Sequence, residues 1–469
     1  RRTHRVVLGL RKEGNKLTFF NDGSAAQEGA MNATYSGWRG SIMVAANQLL
    51  CWDQYFAPGG ALRHIDFDPT PGTLNCADFP ASVSTAPIQS MEISLYPAYN
   101  VISKMIYPDQ EMRRDIMCIG GTSQWPATIF RGIDQWGERY GYLLVDPIGG
   151  AIGAFSVADG INTGGQSRTP ICQLPNIEHT EQSFPLLFLY RKELADSGGA
   201  GEYRGGLSAE SCFIPHNTET VTQDTLSSGN AVPTSSGMMG GYPSATNAYT
   251  FVRNSDVFER LKSSTMPEDA SEVKGDTVVL QLREENFEQH PSDVYAVRWT
   301  GGGGFGDPFE RSVEDIEQDL DDYAVTAAAA RDIYGAVVSN DGRVDALATA
   351  EKRGKIRRDR VNGGAPQARE GEIAFSATSG LDMRKDGAGR YWACNKCAAD
   401  LGPANENYKD YCLREDNAVS SSNPLIGEPG AFIDDKAEFR QFFCRGCGTL
   451  IDNEIAVSTD PILFDLRPA

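Results

Sequence analysis

The sequence predicts an α+β fold, in which a β-rich mixed core is followed by a short helical segment and a small C-terminal domain. Strand-like apolar runs dominate residues 183–300, and capped helical patterns follow them. Two pairs of closely spaced cysteines lie near the C-terminus. These patterns divide the chain into a core of residues 1–310, a helical segment of residues 311–361, a linker of residues 362–385 and a C-terminal domain of residues 386–469.

Composition limits the classes of function. The chain has 469 residues, enough for several domains, and a formal net charge of −20. A surface this acidic disfavours nucleic acid as a partner, because phosphate contacts need clustered lysine and arginine. No apolar run approaches the roughly 20 residues of a membrane-spanning helix, and no signal-peptide pattern is present, so we expect a cytoplasmic protein without a membrane span. The chain starts at Arg1 without an initiator methionine, so we expect that residues precede it or have been removed.

The core is predicted to begin with a hairpin and a buried helix. Apolar residues alternate on both sides of the turn Glu13-Gly14-Asn15, which is the pattern of two antiparallel strands. Small and apolar residues recur at helical spacing from residue 37 to residue 52 and predict a buried helix. Short apolar runs separated by proline, glycine and asparagine then predict a mixed α/β region over residues 59–160.

Strands and glycine-rich loops alternate in the rest of the core. Strands are predicted at residues 185–194, 210–215, 277–282 and 293–300. Glycines are frequent in residues 149–165, and residues 301–308 read Gly-Gly-Gly-Gly-Phe-Gly-Asp-Pro. Glycine permits positive φ and close approach of backbones, so residues 149–165 are predicted to form a loop with one of these features, and residues 301–306 a tight turn against a partner or an active-site wall. Residues 301–306 match G-x-G-x-x-G only trivially, and no helix starts at the last glycine, so a dinucleotide site is disfavoured.

Three helices are predicted in the helical segment. Ser312 and Asp315 are predicted to form a capping box. Acidic residues in the following turns interact favourably with the positive N-terminal end of the helix dipole. Thr326 starts a second helix, which runs through a series of alanines and is closed by Gly335. A third helix covers residues 344–360 and is basic in its last turns.

The C-terminal domain carries the clearest chemical motif. Cys394 and Cys397 form one C-x2-C pair, and Cys444 and Cys447 form another. Two such pairs complete a tetrahedral shell of four thiolates around one metal ion, so the sequence predicts a structural Zn²⁺ site in a zinc-ribbon-like domain. Gly448 follows the second pair, where positive φ turns the backbone toward the sulfurs. A site closed by four cysteines has no open position for catalysis, so its expected role is structural or in docking.

Other interpretations of the cysteines stay open at this point. Two disulfides or a redox C-x-x-C are alternatives, although no βαβ pattern surrounds either pair. Cys412 could replace one of the four ligands. Five further cysteines are scattered singly among apolar or small neighbours, which is typical of a protein in a reducing compartment.

Motifs do not identify the catalytic residues. The five histidines have no metal-binding spacing, and no Gly-x-Ser-x-Gly elbow occurs. The metal module is therefore the only site that the residues define by themselves.

Several segments resemble one family. Residues 301–310, followed by acidic helical sequence and by Ala-Ala-Arg331-Asp-Ile-Tyr-Gly-Ala-Val337, resemble the C-terminal signature of the hydantoinase B family. Residues 196–206 resemble its glycine-rich segment. Further matches occur at residues 23–32, 59–63, 71–75 and 175–178, and they run in family order from Gly23 to about Val338.

The C-terminal domain has a different relative. Residues 439–452, which include the second cysteine pair, and Pro461-Ile-Leu-Phe-Asp465 resemble the small subunit of acetone carboxylase, which is a separate chain in that enzyme. A hydantoinase B core joined to this module resembles the ketone carboxylases of the acetone or acetophenone type. The resemblance implies a subunit of an ATP-dependent complex that forms a 3-oxo acid from a small ketone and bicarbonate.

The resemblance also implies partners and candidate site residues. A hydantoinase A-like ATPase subunit would hold ATP with Mg²⁺ or Mn²⁺, and another chain would supply the N-terminal section that family members carry before the sequence matching Arg5. Arg63 and Arg204 lie in family-like segments and are candidate anion-binding residues, with structural salt bridges as the alternative. The glycine-rich loops could line a water-free chamber and donate backbone amides to oxyanions.

Two other functions remain open. One is an ATP-dependent amidase that opens a hydantoin, lactam or oxoproline ring, which the zinc module disfavours because it resembles a carboxylase subunit. The other is a non-catalytic scaffold whose zinc module docks partners.

Overall fold

A computed structural model describes residues 1–54, 59–83, 87–115, 126–166, 169–170, 172, 174–361 and 368–468. Within these residues the chain forms six sheets and seven α-helices, most of the helices short. The predicted α+β class, rich in sheet and ending in a small four-cysteine domain, is confirmed. No helix in the described ranges is long and apolar enough to cross a membrane.

A three-stranded sheet and two long helices form the N-terminal layer. Its elements are β1 (Gly9–Glu13), β2 (Lys16–Phe20), α1 (Tyr35–Leu50), β3 (Ile65–Asp68) and α2 (Pro87–Ile106). β1 and β2 form the predicted hairpin, and β3 pairs with β2 in parallel. α1 starts where the Thr34 side chain accepts a hydrogen bond from the Gly37 amide. Trp38 of α1 and Tyr99 of α2 are buried with Phe19 of β2 in one core cluster, so the predicted buried helix is confirmed.

Two antiparallel sheets form the centre of the core. The elements of this region are β4 (Ala127–Ile133), β5 (Arg139–Leu143), β6 (Gly165–Gln166), β7 (Thr169–Pro170), α3 (Ile177–Ser183), β8 (Leu186–Glu193), β9 (Ala209–Pro215), β10 (Val221–Leu226), β11 (Ala248–Arg253), α4 (Val257–Lys262), β12 (Asp276–Val279), β13 (Arg283–Gln289) and β14 (Val294–Arg298). The order is β13-β10-β4-β5 in one sheet and β12-β11-β14-β9-β8 in the other. Phe130 and Phe213, one from each sheet, have ring centroids 5.3 Å apart in an edge-to-face contact, so the sheets pack face to face.

The predicted strands in this region are largely confirmed. β8, β9 and β14 coincide with the strands predicted at residues 185–194, 210–215 and 293–300. The strand predicted at residues 277–282 ends early, at Val279 of β12. The amide of Gln281 donates to the Glu284 carboxylate at 3.1 Å, which bends the chain toward β13.

The helical segment contains α5 (Val313–Asp321), α6 (Ala327–Asp332) and α7 (Ala346–Arg360). Ser312 caps α5 as predicted, since the Asp315 amide donates to Ser312 Oγ at 3.0 Å. The Asp315 carboxylate accepts from Ser312 Oγ at 2.7 Å, whereas the predicted capping box places this acceptor on the Ser312 backbone amide. Thr326 caps α6 as predicted. α7 begins two residues later than predicted, because the Asp345 side chain caps it by accepting from the Ala348 amide.

Two sheets form the C-terminal module, defined here as residues 368–468. Its strands are β15 (Glu372–Ser376), β16 (Leu381–Asp386), β17 (Gly389–Cys394), β18 (Asp400–Pro403), β19 (Leu413–Asn417), β20 (Ala437–Phe443) and β21 (Leu450–Val457). They form a four-stranded sheet, β15-β16-β17-β18, and a three-stranded sheet, β19-β20-β21. β15 and β16 lie almost entirely within residues 362–385, which were predicted as a linker. Leu381 and Met383 are fully buried in the core of the module, so the sheet begins earlier than the predicted boundary, while residues 362–367 lie outside the described residues.

Candidate metal centre and the core beside it

The four cysteines of the two C-x2-C pairs meet at one point of the C-terminal module. Their sulfur atoms all lie within 4.8 Å of one another. Cys394 Sγ lies 3.8 Å from Cys447 Sγ, and Cys397 Sγ lies 3.6 Å from Cys444 Sγ. A tetrahedral site with Zn–S bonds of about 2.3 Å has sulfur–sulfur edges of about 3.8 Å. The four thiols therefore fit a single ion of that size, and this cluster can hold a metal.

The geometry separates the alternative interpretations of the cysteines. All four thiols are free, and their separations far exceed the roughly 2 Å bond of a disulfide. A redox dithiol needs only one pair, whereas here both pairs converge. Cys412 lies outside the cluster, with its sulfur 3.5 Å from the carbonyl oxygen of Tyr408.

The two cysteine turns have the same backbone form. The Ala398 amide donates to the Cys394 carbonyl at 2.9 Å, and the Gly448 amide donates to the Cys444 carbonyl at 2.8 Å. The residue after each pair has positive φ, 58° at Ala398 and 72° at Gly448. The prediction for Gly448 is confirmed. The equivalent conformation at Ala398 was missed, because alanine gives no signal for positive φ.

The close approach of the four thiols lowers the pKa of two of them. A hydrogen bond from the Cys394 thiol lowers the pKa of Cys397 to about 7. The same neighbour lowers the pKa of Cys447 well below its usual range. Both shifts favour the thiolate, which is the form that binds metal ions.

Three glycine-rich segments stack on one another next to the module, and we call residues 150–154, 198–206 and 301–306 the glycine-rich layer. The Gly199 amide donates to the Gly302 carbonyl at 2.8 Å, and the Gly302 amide donates to the Gly206 carbonyl at 3.0 Å. A Cβ atom on Gly205 would lie 1.9 Å from the Gly302 carbonyl oxygen. Glycine is needed here because backbone packs directly on backbone, and the surface that residues 301–306 meet is this chain's own backbone rather than the predicted partner or active-site wall. The amides of Gly199, Gly206 and Gly302 are used within the layer, so the structure does not support their expected role as oxyanion donors.

Arg204 lies in a cluster of four charged residues beside this layer. Its Nε donates to Asp319 at 3.1 Å, and its side chain is 8% exposed. Arg311 donates to both oxygens of Asp159 at 2.7 Å and to the second oxygen of Asp319 at 2.8 Å. We call Asp159, Arg204, Arg311 and Asp319 the ion quartet. Arg204 thus makes the structural salt bridge that the sequence left open as the alternative to anion binding.

Sequence patterns missed the other members of the quartet. Asp159 and Arg311 are separated by 152 residues, and no periodicity or motif links two such positions. Arg63 differs from Arg204, because it lies exposed at the end of a short 3-10 helix, Ala61–Arg63. It stays a candidate anion-binding residue.

Two family models match separate parts of the chain. Residues 2–308 match hydantoinase B/oxoprolinase, and residues 371–469 match the acetone carboxylase gamma subunit. The second match covers the four-cysteine module. The resemblance found in the motifs is thus confirmed for both parts.

Two known subunits of carboxylases also match this chain over separate regions. The acetone carboxylase alpha subunit of Xanthobacter autotrophicus is 30% identical over 279 residues, which are 54% of this chain and 35% of that subunit. The acetophenone carboxylase beta subunit of Aromatoleum aromaticum is 31% identical over 98 residues, which are 20% of this chain and 73% of that subunit. A nucleotide-free structure of acetone carboxylase superposes with a TM-score of 0.67 at 23% identity, covering 77% of this chain and 49% of that chain.

The matched region of this chain spans well under half of the alpha subunit. The acetone carboxylase structure has the same fold over 77% of this chain. Because the match over residues 2–308 takes up most of the sequence, the chain belongs to the hydantoinase B/oxoprolinase family.

Proposed function

We propose that this chain is a subunit of an ATP-dependent ketone carboxylase of the acetone or acetophenone type. The observation that carries the proposal is that one chain joins two regions whose relatives are different subunits of such enzymes. The core is similar to an acetone carboxylase alpha subunit, and residues 371–469 match the gamma-subunit family. A cyclic amidase of the same family would leave the second match unexplained.

The reaction joins a ketone to bicarbonate and forms a 3-oxo acid. ATP supplies a phosphoryl group to bicarbonate, directly or by way of the enol phosphate of the ketone, and the ketone loses an α-proton to form the enolate. The enolate carbon then attacks the carboxyl carbon of carboxyphosphate, and phosphate leaves. Carboxyphosphate and enol phosphates hydrolyse in water, so the reaction needs a closed chamber. This chain would supply rigid walls for that chamber, because its glycine-rich layer is hydrogen-bonded backbone to backbone and is braced by the ion quartet.

The four cysteines would bind Zn²⁺ with a structural role. Their thiolates fill a tetrahedral shell and leave no open position for substrate. ATP, with Mg²⁺ or Mn²⁺, would bind to a hydantoinase A-like partner.

The test is ATP hydrolysis by the complex that co-purifies with the tagged chain. Acetone, acetophenone and a lactam are supplied separately, each with and without bicarbonate, and labelled carbon from bicarbonate is followed into acid product. The proposal requires hydrolysis that depends on both a ketone and bicarbonate. Stimulation by the lactam without bicarbonate would instead identify an amidase. Lack of stimulation by any ketone would refute the carboxylase assignment.

Arg63 gives a sharper test of the site. If its exposed guanidinium binds bicarbonate or phosphate, Arg63→Met raises the KM for bicarbonate several-fold. The matched control is Arg343→Met, since Arg343 is 62% exposed in the helical segment. Equal kinetics for the two variants would remove Arg63 from the site.

A further inference from the structure

The second cysteine pair of the module lies against the end of α7. Gly448, the residue after Cys447, packs so closely that a Cβ atom there would lie 2.3 Å from the Arg357 carbonyl oxygen. Arg360 of α7 donates to the Gly448 carbonyl at 3.1 Å. The Arg360 guanidinium also lies 3.9 Å from the ring centroid of Phe443, directly before Cys444. The metal-binding turn therefore forms part of an interface with the core.

The first cysteine pair reaches the same part of the core. Lys396, between the two cysteines of that pair, donates to the Glu310 carboxylate at 3.1 Å. Arg357 donates to Glu310 at 2.7 Å and to Asp307 at 2.8 Å. Asp307 also accepts the amide of Leu450, the first residue of β21, at 3.3 Å. Both cysteine turns thus contact the segment of residues 301–310 or the arginine that holds it.

A second set of contacts links the module to the glycine-rich layer by way of residues 240–242. Asn453 of β21 donates to the carbonyls of Gly240 and Gly241 at 3.0 and 2.9 Å. Gln441 of β20 donates to the Tyr242 hydroxyl at 2.6 Å. The Tyr242 carbonyl accepts the amide of Gly304 at 3.0 Å, in the middle of the glycine-rich layer. The strands that carry the second cysteine pair are therefore two hydrogen bonds away from that layer.

We propose that metal binding at the four cysteines latches the C-terminal module onto the core and thereby orders residues 301–310. Coordination would tie the two C-x2-C turns to one ion, and loss of the ion removes those bonds, so the turns that carry the cysteines separate. Separation withdraws Lys396 from Glu310 and Gly448 from α7, which releases the segment that forms the centre of the glycine-rich layer. The metal then controls order far outside its own domain. The inference rests on these contacts and does not depend on the proposed reaction.

Hydrogen exchange of the full chain, measured by mass spectrometry with zinc bound and after chelation, tests the latch. On chelation, peptides that cover residues 444–448 lose protection whether or not the latch exists, because they carry ligands. The latch requires exchange in residues 301–310 to rise by about fivefold or more at the same chelator concentration, while β8 and β9 stay protected. Protection of residues 301–310 that survives full loss of zinc overturns the proposal.

Two variants keep the test decisive if zinc removal unfolds the whole chain. Lys396→Met breaks the contact to Glu310 without touching a ligand, and it should speed exchange in residues 301–310 about two- to fivefold with zinc still bound. Lys385→Met is the matched control, because Lys385 makes an ion pair of the same length, 3.1 Å, with Glu372 inside the module. Equal exchange in the two zinc-loaded variants overturns the latch. A rise confined to Lys396→Met supports it.

Discussion

Replacing Arg311 by methionine tests how the core is braced. The Arg311 side chain is 1% exposed and binds two carboxylates of the ion quartet, Asp159 through both of its oxygens and Asp319 through one. Arg311→Met keeps much of the aliphatic volume but removes the charge and three charge-assisted hydrogen bonds. Asp319 then keeps the Arg204 guanidinium, whereas Asp159 keeps only a hydrogen bond from the Arg204 backbone amide at 2.7 Å.

The expected cost follows from burial. Breaking a buried ion pair by removing one partner costs about 3–5 kcal/mol, because the other charge stays buried without compensation. Asp159 is 32% exposed and regains some water, so we expect the lower end, about 3 kcal/mol. Burial opposes ionisation of Asp159, but the hydrogen bond from Arg311 lowers its pKa overall. A lowered folded-state pKa stabilises the protein above about pH 4, and this contribution is lost as the pH falls. The penalty of Arg311→Met should therefore shrink in acid.

Urea denaturation, followed by tryptophan fluorescence at pH 7 and at about pH 3.5, measures both effects. Arg343→Met is the control, since Arg343 is 62% exposed and lies 3.6 Å from Asp321. It should cost less than about 0.5 kcal/mol. Arg311→Lys should fall between the two variants, because lysine keeps the charge but cannot bind a carboxylate through two parallel hydrogen bonds.

A free energy of unfolding for Arg311→Met within about 0.5 kcal/mol of that for Arg343→Met would refute this account of the quartet. A double variant, Arg311→Met with Asp159→Asn, gives an independent check. It should recover part of the lost stability, because it removes the carboxylate left without its partner.

Three further predictions concern the C-terminal module. Cys444→Ser should abolish stoichiometric zinc binding measured by elemental analysis, whereas Cys412→Ser should retain it, because the Cys412 sulfur lies outside the cluster. Ala398→Gly should raise the melting temperature of the zinc-bound protein by relieving about 1 kcal/mol of positive-φ strain, and Gly448→Ala should lower it, since the added Cβ meets the carbonyl of α7 at 2.3 Å. Burial opposes ionisation of Asp465, but its two lysine neighbours lower its pKa overall, so Asp465→Asn should destabilise the protein at pH 7 and progressively less below about pH 4 in urea denaturation.

Each of these predictions has a contradicting outcome. Full zinc content in Cys444→Ser would place the metal elsewhere. A higher melting temperature for Gly448→Ala would mean that α7 does not press on the second cysteine turn. A penalty for Asp465→Asn that stays constant from pH 7 to pH 3 would show that ionisation of this carboxyl contributes nothing to stability.

Sequence patterns predicted those elements that depend only on residues close together in the chain. The helix cap at Ser312, the hairpin turn and the strands β8 and β9 needed only neighbouring residues, and all four are present. β10 carried no such signal, because the residues that it buries include Gln223 and Thr225. Gln223 is hydrogen-bonded to Gln289 of β13 in the folded sheet, a pairing that alternation of apolar and polar residues cannot reveal.

The glycine-rich segments show the limit of composition. Their glycines correctly indicated close backbone packing, but composition does not say what packs against them. The structure shows that the segments pack on one another, so the amides of Gly199, Gly206 and Gly302, among others, bind carbonyls of the same layer. Function inferred from glycine content alone would have assigned those amides to a substrate.

The amino-acid sequence by itself determined the family, the order of the parts and the four thiols of the candidate metal site, because each depends on residue types at short, fixed spacing. Only the tertiary structure decided which charges pair across the core, that Arg204 belongs to a buried ion quartet, and that one cysteine turn reaches Glu310 while the other packs on α7. Those relations join residues far apart in the chain. They depend on where the backbone places side chains in space, which no local pattern records.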